Sequence, residues 1–397
     1  MLFNPGDFEP LTEERWNAGA IRAGIRDIVA DTDSALRGPK LLWPADVWDR
    51  WRSTSPLKTL YCGGSGVLWA LDDLRRRGHA ETTLDLASLA LATLERNRAK
   101  PDFTKRIPLP AERESALLTG ETGILLVAFR LAPTRPLADD LHRLVRANVA
   151  NPTDELMWGS PGTLVAARLM HEWTGDTRWR EAWDESADAL LGRRDPDGLW
   201  TQRLYGYTDR VLGPAHGFVG NVLALGQGLD ARARSALQRS ARGVLERLAV
   251  VEGGLANWPP SEGEKLVHRT GLIRVQWCHG APGIVASAAE YLDEGLLRAG
   301  AELTWRAGPH GDERGSSICH GTAGNGFALL KAFARTGDER WLARARRFAV
   351  HALAQMRRRR ALRGRGRYSL WTGDLGVALY LADCLDARSR YPVIDAI

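Results

Sequence analysis

Two Cys-His-Gly triplets stand in one chain, Cys278-His279-Gly280 and Cys319-His320-Gly321, inside the longer stretches Gln276 to Gly283 and Ile318 to Gly326. Each sets a thiol and an imidazole beside a glycine, which takes backbone angles closed to other residues, so a short loop can present ligands to a metal. Sulfur together with imidazole nitrogen favours zinc, Zn2+, among the common ions. Two ligand sets are open: all four side chains closing a structural Cys2His2 site, or three of them leaving one position for water or substrate. Adjacent side chains diverge, so one Cys-His pair converges on an ion more easily than both pairs do. Three ligands are therefore favoured, which with zinc means catalysis; two buried cysteines holding no metal are the competing reading.

His216, in Pro214-Ala215-His216-Gly217, stands immediately before a glycine tetrad, the place that His279 and His320 hold before theirs. That register puts a third imidazole at the same rim, suited to acid–base work at neutral pH, with a structural hydrogen-bonding histidine as the alternative. Asp154 and Glu155 precede Leu156-Met157-Trp158-Gly159 and offer a carboxylate to orient or protonate a group there, or to cap the following helix. Cys384 reads as core, and Cys62 stays unassigned.

What must position these residues is a repeat. A Gly-x-x-Gly tetrad leading into an apolar helix recurs seven times, at Gly63–Gly66, Gly120–Gly123, Gly159–Gly162, Gly217–Gly220, Gly280–Gly283, Gly321–Gly324 and Gly373–Gly376. Successive first glycines lie between 39 (159 − 120) and 63 (280 − 217) residues apart, too variable for a uniform solenoid. Each interval holds one or two further helices, so the unit is a helical hairpin with a variable connection. The helix after each tetrad is apolar nearly all round and should be buried, while its partner is amphipathic. Clear amphipathic examples run from His79 to Arg96 and from Glu339 to Arg357. Residues 10–36 read as a further helix with Ile21, Ile25, Ile28 and Val29 on one face, stopped before Pro44. Seven such hairpins predict an all-α fold, an (α/α) toroid whose inner helices start on one rim. The tetrads then converge on a central mouth and bring Cys278, Cys319 and His216 together. Residues 1–397 are expected to form one such domain, with 1–45 as a helical lead-in. The strand candidates are short, around Leu199 to Tyr207 and Tyr368 to Trp371.

Composition agrees with a globular chain able to bury a large core: 397 residues, 44% hydrophobic and 26% charged. No apolar run approaches the roughly 20 residues of a spanning helix, so no membrane segment is expected. The start, Met1 to Asp7, lacks the basic and apolar regions of a secretory signal, which points to the cytoplasm. Four cysteines are too few for a disulfide framework at this length and stay free to bind metal. The net charge of +6 is rich in Arg, densest at Arg357 to Arg360 and continuing through Arg363, Arg365 and Arg367. Such a run reads as a solvated surface rather than a nucleic-acid site, because no aromatic interleaving or binding motif accompanies it.

These motifs resemble the lanthionine synthetase C family. Trp277-Cys278-His279-Gly280-Ala281-Pro282-Gly283 and Cys319-His320-Gly321-Thr322-Ala323-Gly324-Asn325 look like its two zinc motifs, and the seven tetrads extend the likeness over essentially the whole chain. The resemblance implies an α/α toroid of seven inner and seven outer helices, zinc on Cys278, Cys319 and His320, and His216 as general acid/base. It implies thioether formation, in which a thiol from a peptide cysteine or from glutathione adds to a dehydroalanine or dehydrobutyrine. The partners are then a dehydrated precursor peptide or a protein carrying a dehydroamino acid, and no nucleic acid. Where the peptide cyclases carry a catalytic aspartate four residues before the third tetrad, this chain has Glu155, with Asp154 one step further away. That places it nearer the LanC-like branch, which acts without an obvious precursor peptide. A non-catalytic module that binds zinc and a thiol-bearing ligand or partner protein is the alternative function.

Overall fold

The computed structural model describes residues 1–395 apart from 51, 52, 54, 104–108 and 269. Among the described residues fourteen α-helices alternate between an inner and an outer ring. The inner ring is α2 (Gly64–Arg76), α4 (Glu121–Leu131), α6 (Ser160–Thr174), α8 (Phe218–Gly226), α10 (Ala281–Ala288), α12 (Thr322–Thr336) and α14 (Asp374–Asp386). The outer ring is α1 (Ala18–Ala35), α3 (Leu86–Ala99), α5 (Arg135–Ala147), α7 (Thr177–Gly192), α9 (Ala231–Leu248), α11 (Glu294–Ala307) and α13 (Glu339–Arg363). Every residue of α8 and of α10 is buried, whereas α9 buries only Leu237, Ala241, Val244 and Leu245. Hydrophobicity all round the helix therefore went to the inside and the amphipathic pattern to the outside.

The first glycine of each tetrad is the N-cap of an inner helix. The second meets a stricter demand, because the loop folds back onto the first turn of the helix. A Cβ on Gly66 would stand 2.3 Å from the Leu60 carbonyl oxygen, and one on Gly283 would stand 1.8 Å from that of Trp277. All seven second glycines approach a carbonyl six residues earlier in this way, which is why the motif tolerates no side chain there.

The ring is closed. Helix α14 packs against α2 and α1, and the Leu370 Cβ lies 2.8 Å from where a Gly66 Cβ would be. A backbone chain runs between the loops at the residue two before each first glycine. The N–H of Cys278 donates to the carbonyl of Cys319 (3.4 Å), Cys319 to Trp371 (3.0 Å), Trp371 to Tyr61 (3.1 Å) and Tyr61 to Leu118 (2.8 Å). The third of these links ties the last repeat to the first.

Several element boundaries differ from those read in the sequence. Residues 10–17 are not helical: Glu9 and Thr12 donate their N–H groups to the Pro309 carbonyl and to His351 Nδ1, and Asn17 caps α1. Helix α1 packs against α14 as its outer partner. The expected helix from His79 begins only at Leu86, since Asp85 caps it and Asp33 holds Thr82 and Thr83 in the preceding loop. Tyr368 to Trp371 is loop, not strand. The other candidate is a hairpin, β1 (Gln202–Leu204) with β2 (Tyr207–Asp209), turning through Tyr205 and Gly206 at φ 57° and 81°. A second hairpin, β3 (Val250–Glu252) with β4 (Leu255–Asn257), turns through Gly253 and Gly254, also at positive φ.

The arginine run binds the chain's own beginning. Arg357, Arg358, Arg359 and Arg360 pair with Asp27, Glu9, Asp46 and Asp31. No helix among the described residues is long and apolar enough to cross a membrane.

Candidate functional site

The loops before α10 and α12 bring Cys278, Cys319 and His320 together. One ligand atom from each lies within 4.8 Å of the other two. Both thiols are buried and His320 is half-buried. The contact from Cys319 Sγ to His320 Nε2 is 3.6 Å. Tetrahedral zinc, with bonds of roughly 2.0–2.3 Å, has ligand–ligand edges of about 3.5 Å, so the Cys319–His320 contact has the length of such an edge and the donor set fits that ion in chemistry. The side-chain amide of Gln276 donates to Cys278 Sγ at 2.8 Å and the Tyr61 hydroxyl to Cys319 Sγ at 3.0 Å. Burial raises both thiols. For Cys278 this is outweighed by the hydrogen bond from Cys319 and by the nearby imidazoles, so it falls well below the ordinary range while Cys319 rises above it. Cys278 is thus the thiol that yields its proton first, and ligation of an ion by both cysteines requires both as thiolates.

His279, next to Cys278, lies outside this set. Its backbone closes a tight turn with Gln276, through hydrogen bonds of 3.1 and 3.0 Å, and its Nδ1 is buried without a partner among the described residues. Burial lowers it to about 4, leaving the imidazole neutral.

In the two repeats preceding that of Cys278, Glu155 and His216 form a pair. Glu155 is fully buried and accepts from His216 Nδ1 at 2.7 Å. It also accepts the N–H groups of Met157, Trp158 and Gly159, which open toward it as the chain enters α6. Both carboxylate oxygens are thereby fixed. His216 is half-exposed, and its Nε2 has no protein partner among the described residues. Burial alone lowers an imidazole, but the hydrogen bond from His216 to Glu155 and the carboxylate's charge outweigh it, so the pKa of His216 is raised above its ordinary value.

Asp154 does not share this role. Its backbone takes φ 45°, a left-handed conformation that aspartate tolerates better than most residues, and this turns its side chain away from that of Glu155. The carboxylate is gripped by Arg193 at 2.7 and 2.9 Å, and its carbonyl accepts from Asn221 at 2.9 Å. Cys62 is buried beside Thr59 and the Asp49 carbonyl, and burial raises it well above the ordinary thiol range. Cys384 is core within α14.

Three side chains at the site were not singled out from the sequence. Tyr61 stands two residues before Gly63, the register of both zinc-motif cysteines, so the repeat alignment pointed to it. Gln276 lies inside the first motif stretch. Tyr205 sits at the tip of the β1–β2 hairpin, where its hydroxyl accepts from Trp158 Nε1 at 2.9 Å and its ring lies 6.0 Å from that of His216. Only the hairpin's fold places it there.

A family model described as lanthionine synthetase C-like protein matches residues 45–395. Glutathione S-transferase LANCL1 of Danio rerio is 30% identical over 316 residues, covering 72% of this chain and 75% of the relative. Among solved structures, nisin cyclase is similar with a TM-score of 0.62 at 15% identity, covering 94% of this chain and 97% of its own, a likeness of fold.

Proposed function

The chain belongs to the lanthionine synthetase C-like family, and on that premise we propose that it is a zinc-dependent enzyme adding a thiol to a dehydroamino acid in a peptide or protein. Cys278, Cys319 and His320 hold the zinc in this reading, with His279 outside the ligand set. Bound there, zinc supplies a Lewis acid that lowers the pKa of a ligating substrate thiol, so that a nucleophilic thiolate exists at neutral pH. The observation that carries the proposal is the buried Glu155 holding at 2.7 Å the Nδ1 of His216, which stands in the repeat next to that of Cys278.

The chain's own part in the reaction follows from that pair. The substrate sulfur gives its proton to solvent and forms a bond to the β-carbon of the dehydroamino acid, and the alkene electrons move toward the carbonyl as an enolate. His216 enters as imidazolium, its Nδ1–H directed to Glu155 and its Nε2–H to the mouth. It stabilises the enolate oxygen or gives its proton to the α-carbon, which completes the thioether. Glu155 orients the ring and supports its positive charge. Asp154 builds the turn that aims Glu155.

Glutathione or a peptide cysteine supplies the thiol; the similarity to a protein named a glutathione S-transferase supports the former. The four free cysteines suit a reducing compartment, and we place the protein in the cytoplasm.

The test measures zinc per chain and the addition of glutathione to a dehydroalanine peptide. Wild type should carry about one zinc per chain. Cys278→Ala, Cys319→Ala and His320→Ala should lose the metal and the activity. His279→Ala should keep the metal, and His216→Asn should keep it while losing about 10²–10⁴ in rate. A wild type that binds zinc and glutathione but forms no thioether would sink the enzymatic reading in favour of a binding module.

A further inference from the structure

The segment after α14 packs back against the inner helices, meeting Gln227 at the end of α8 and Lys331 in α12. Tyr391, Val393 and Ile394 are buried, with Tyr391 only 1% exposed. Val393 takes φ 70°, a left-handed conformation that costs a β-branched residue, so packing must hold it there. Three tethers do so. The Asp383 carboxylate accepts the Arg390 N–H at 2.9 Å, Gln227 donates to the Ile394 carbonyl at 3.0 Å, and Lys331 pairs with Asp395 at 2.7 Å.

At the inner end of this segment Tyr391 touches both thiol-bearing loops, each at the residue just before its cysteine. Its ring stacks on that of Trp277 with centroids 4.9 Å apart and planes at 19°. Its hydroxyl donates to the Ile318 carbonyl. Trp371 and Phe327 close around the same ring, at 5.5 and 4.7 Å. The direct backbone link between the two loops, from Cys278 N–H to the Cys319 carbonyl, is a long 3.4 Å. One aromatic ring with its hydroxyl therefore bridges two loops whose spacing decides whether the thiols can share an ion.

We propose that Tyr391 is a positioning residue for the thiol pair, holding the Cys278 and Cys319 loops at ligating distance from beneath the site. The inference rests on reading those cysteines as one ligand pair. Supports behind metal ligands typically change affinity by 10–100-fold. Tyr391→Phe, which keeps the stack and loses the bond to Ile318, should weaken zinc about tenfold, and Tyr391→Ala about a hundredfold.

The control is Tyr380→Phe. It removes an equally buried hydroxyl that donates to the Ala345 carbonyl at 2.6 Å, and it should leave zinc affinity within twofold of wild type. Affinity is read by chelator competition on the full chain. In parallel, the metal-free chain is titrated with phenylarsine oxide, which must bridge two thiols at once. Tyr391→Ala should lose at least about tenfold in affinity for that reagent, by the same loss of preorganisation. If Tyr391→Ala binds the arsenical as tightly as wild type, or if Tyr380→Phe weakens zinc as much as Tyr391→Phe does, the inference is overturned. If wild type takes up no zinc while the arsenical still distinguishes Tyr391→Ala, the proposed function falls and the positioning role of Tyr391 stands.

Discussion

Glu155→Gln is the sharpest perturbation of the proposed acid. In the native chain Oε1 accepts from the N–H groups of Trp158 and Gly159, and Oε2 accepts from Met157 N–H and His216 Nδ1. An amide has one oxygen and one NH2 group. With its oxygen toward Trp158 and Gly159, its NH2 faces two donors, and His216 can relieve the conflict only by presenting an unprotonated Nδ1. The variant therefore favours the neutral ring. A hydrogen bond to a charged group is worth about 1.5–3 kcal/mol, which at about 1.4 kcal/mol per tenfold is roughly a ten- to 150-fold change in the imidazolium population. Because the pKa of His216 is raised in the folded chain, wild type keeps its imidazolium to higher pH than an unperturbed histidine. The variant should then lose little rate near pH 6 and about ten- to a hundredfold near pH 8, measured as kcat for glutathione addition to a dehydroalanine peptide. Zinc content should not change. The same linkage has a stability arm. A raised histidine contributes fully below its unfolded value of about 6.5 and loses that contribution as pH rises through its folded value. Glu155→Gln should accordingly lower Tm more at pH 6 than at pH 9. A rate loss of equal size across pH 6–9, with unchanged zinc, would refute the assignment of His216 as an acid supported by Glu155.

Three further outcomes concern the scaffold. Gly283→Ala pushes a Cβ to 1.8 Å from the Trp277 carbonyl and should cost about 3 kcal/mol or more by urea denaturation. Gly243→Ala, in the interior of α9 with nothing near its Cβ, should instead stabilise by about 0.5–1 kcal/mol. Lys58 and Asp102 form a buried pair at 2.5 Å beside the first tetrad loop, and Lys58→Met should cost about 3–5 kcal/mol by stranding the Asp102 carboxylate. A cost below about 1 kcal/mol would mean that Asp102 finds other support or takes up a proton.

The architecture was legible because its signals are local and repeated. Each Gly-x-x-Gly marks a helix start and a close approach, and the apolar run after it marks burial, so seven buried helices and their common rim could be read without tertiary information. The sites of misreading share a physical cause, which is competition from side-chain hydrogen bonds. The His79 helix waits for the cap at Asp85, and the first helix waits for Asn17, although apolar spacing alone extended both. The β3–β4 hairpin turns on Gly253-Gly254, a signal present in the sequence but flanked by strands too short to show alternation. For the candidate site, residue types and register pointed to Cys278, Cys319, His320 and His216, of which the structure gathers Cys278, Cys319 and His320 within reach of one ion. They could not separate Glu155 from Asp154, because that choice is made by one left-handed backbone angle and by Arg193, thirty-nine residues away.

The repeat also explains why a site of this kind forms at all. The seven residues two before the first glycines are Tyr61, Leu118, Met157, Ala215, Cys278, Cys319 and Trp371. Four backbone hydrogen bonds run from one such residue to the next, from Cys278 round to Leu118, so five of these positions form an arc whose spacing the backbone sets. A side chain placed at this register faces its counterpart in the adjacent loop whatever the length of the connection between them. Two thiols in adjacent repeats therefore meet although 41 residues separate them (319 − 278), and Tyr61, two repeats further round, reaches Cys319 with its hydroxyl. Chemistry at the mouth is thus a matter of which residues occupy the few positions just before each first glycine, the cysteines two before it, His216 and His320 one before it and Glu155 four before it.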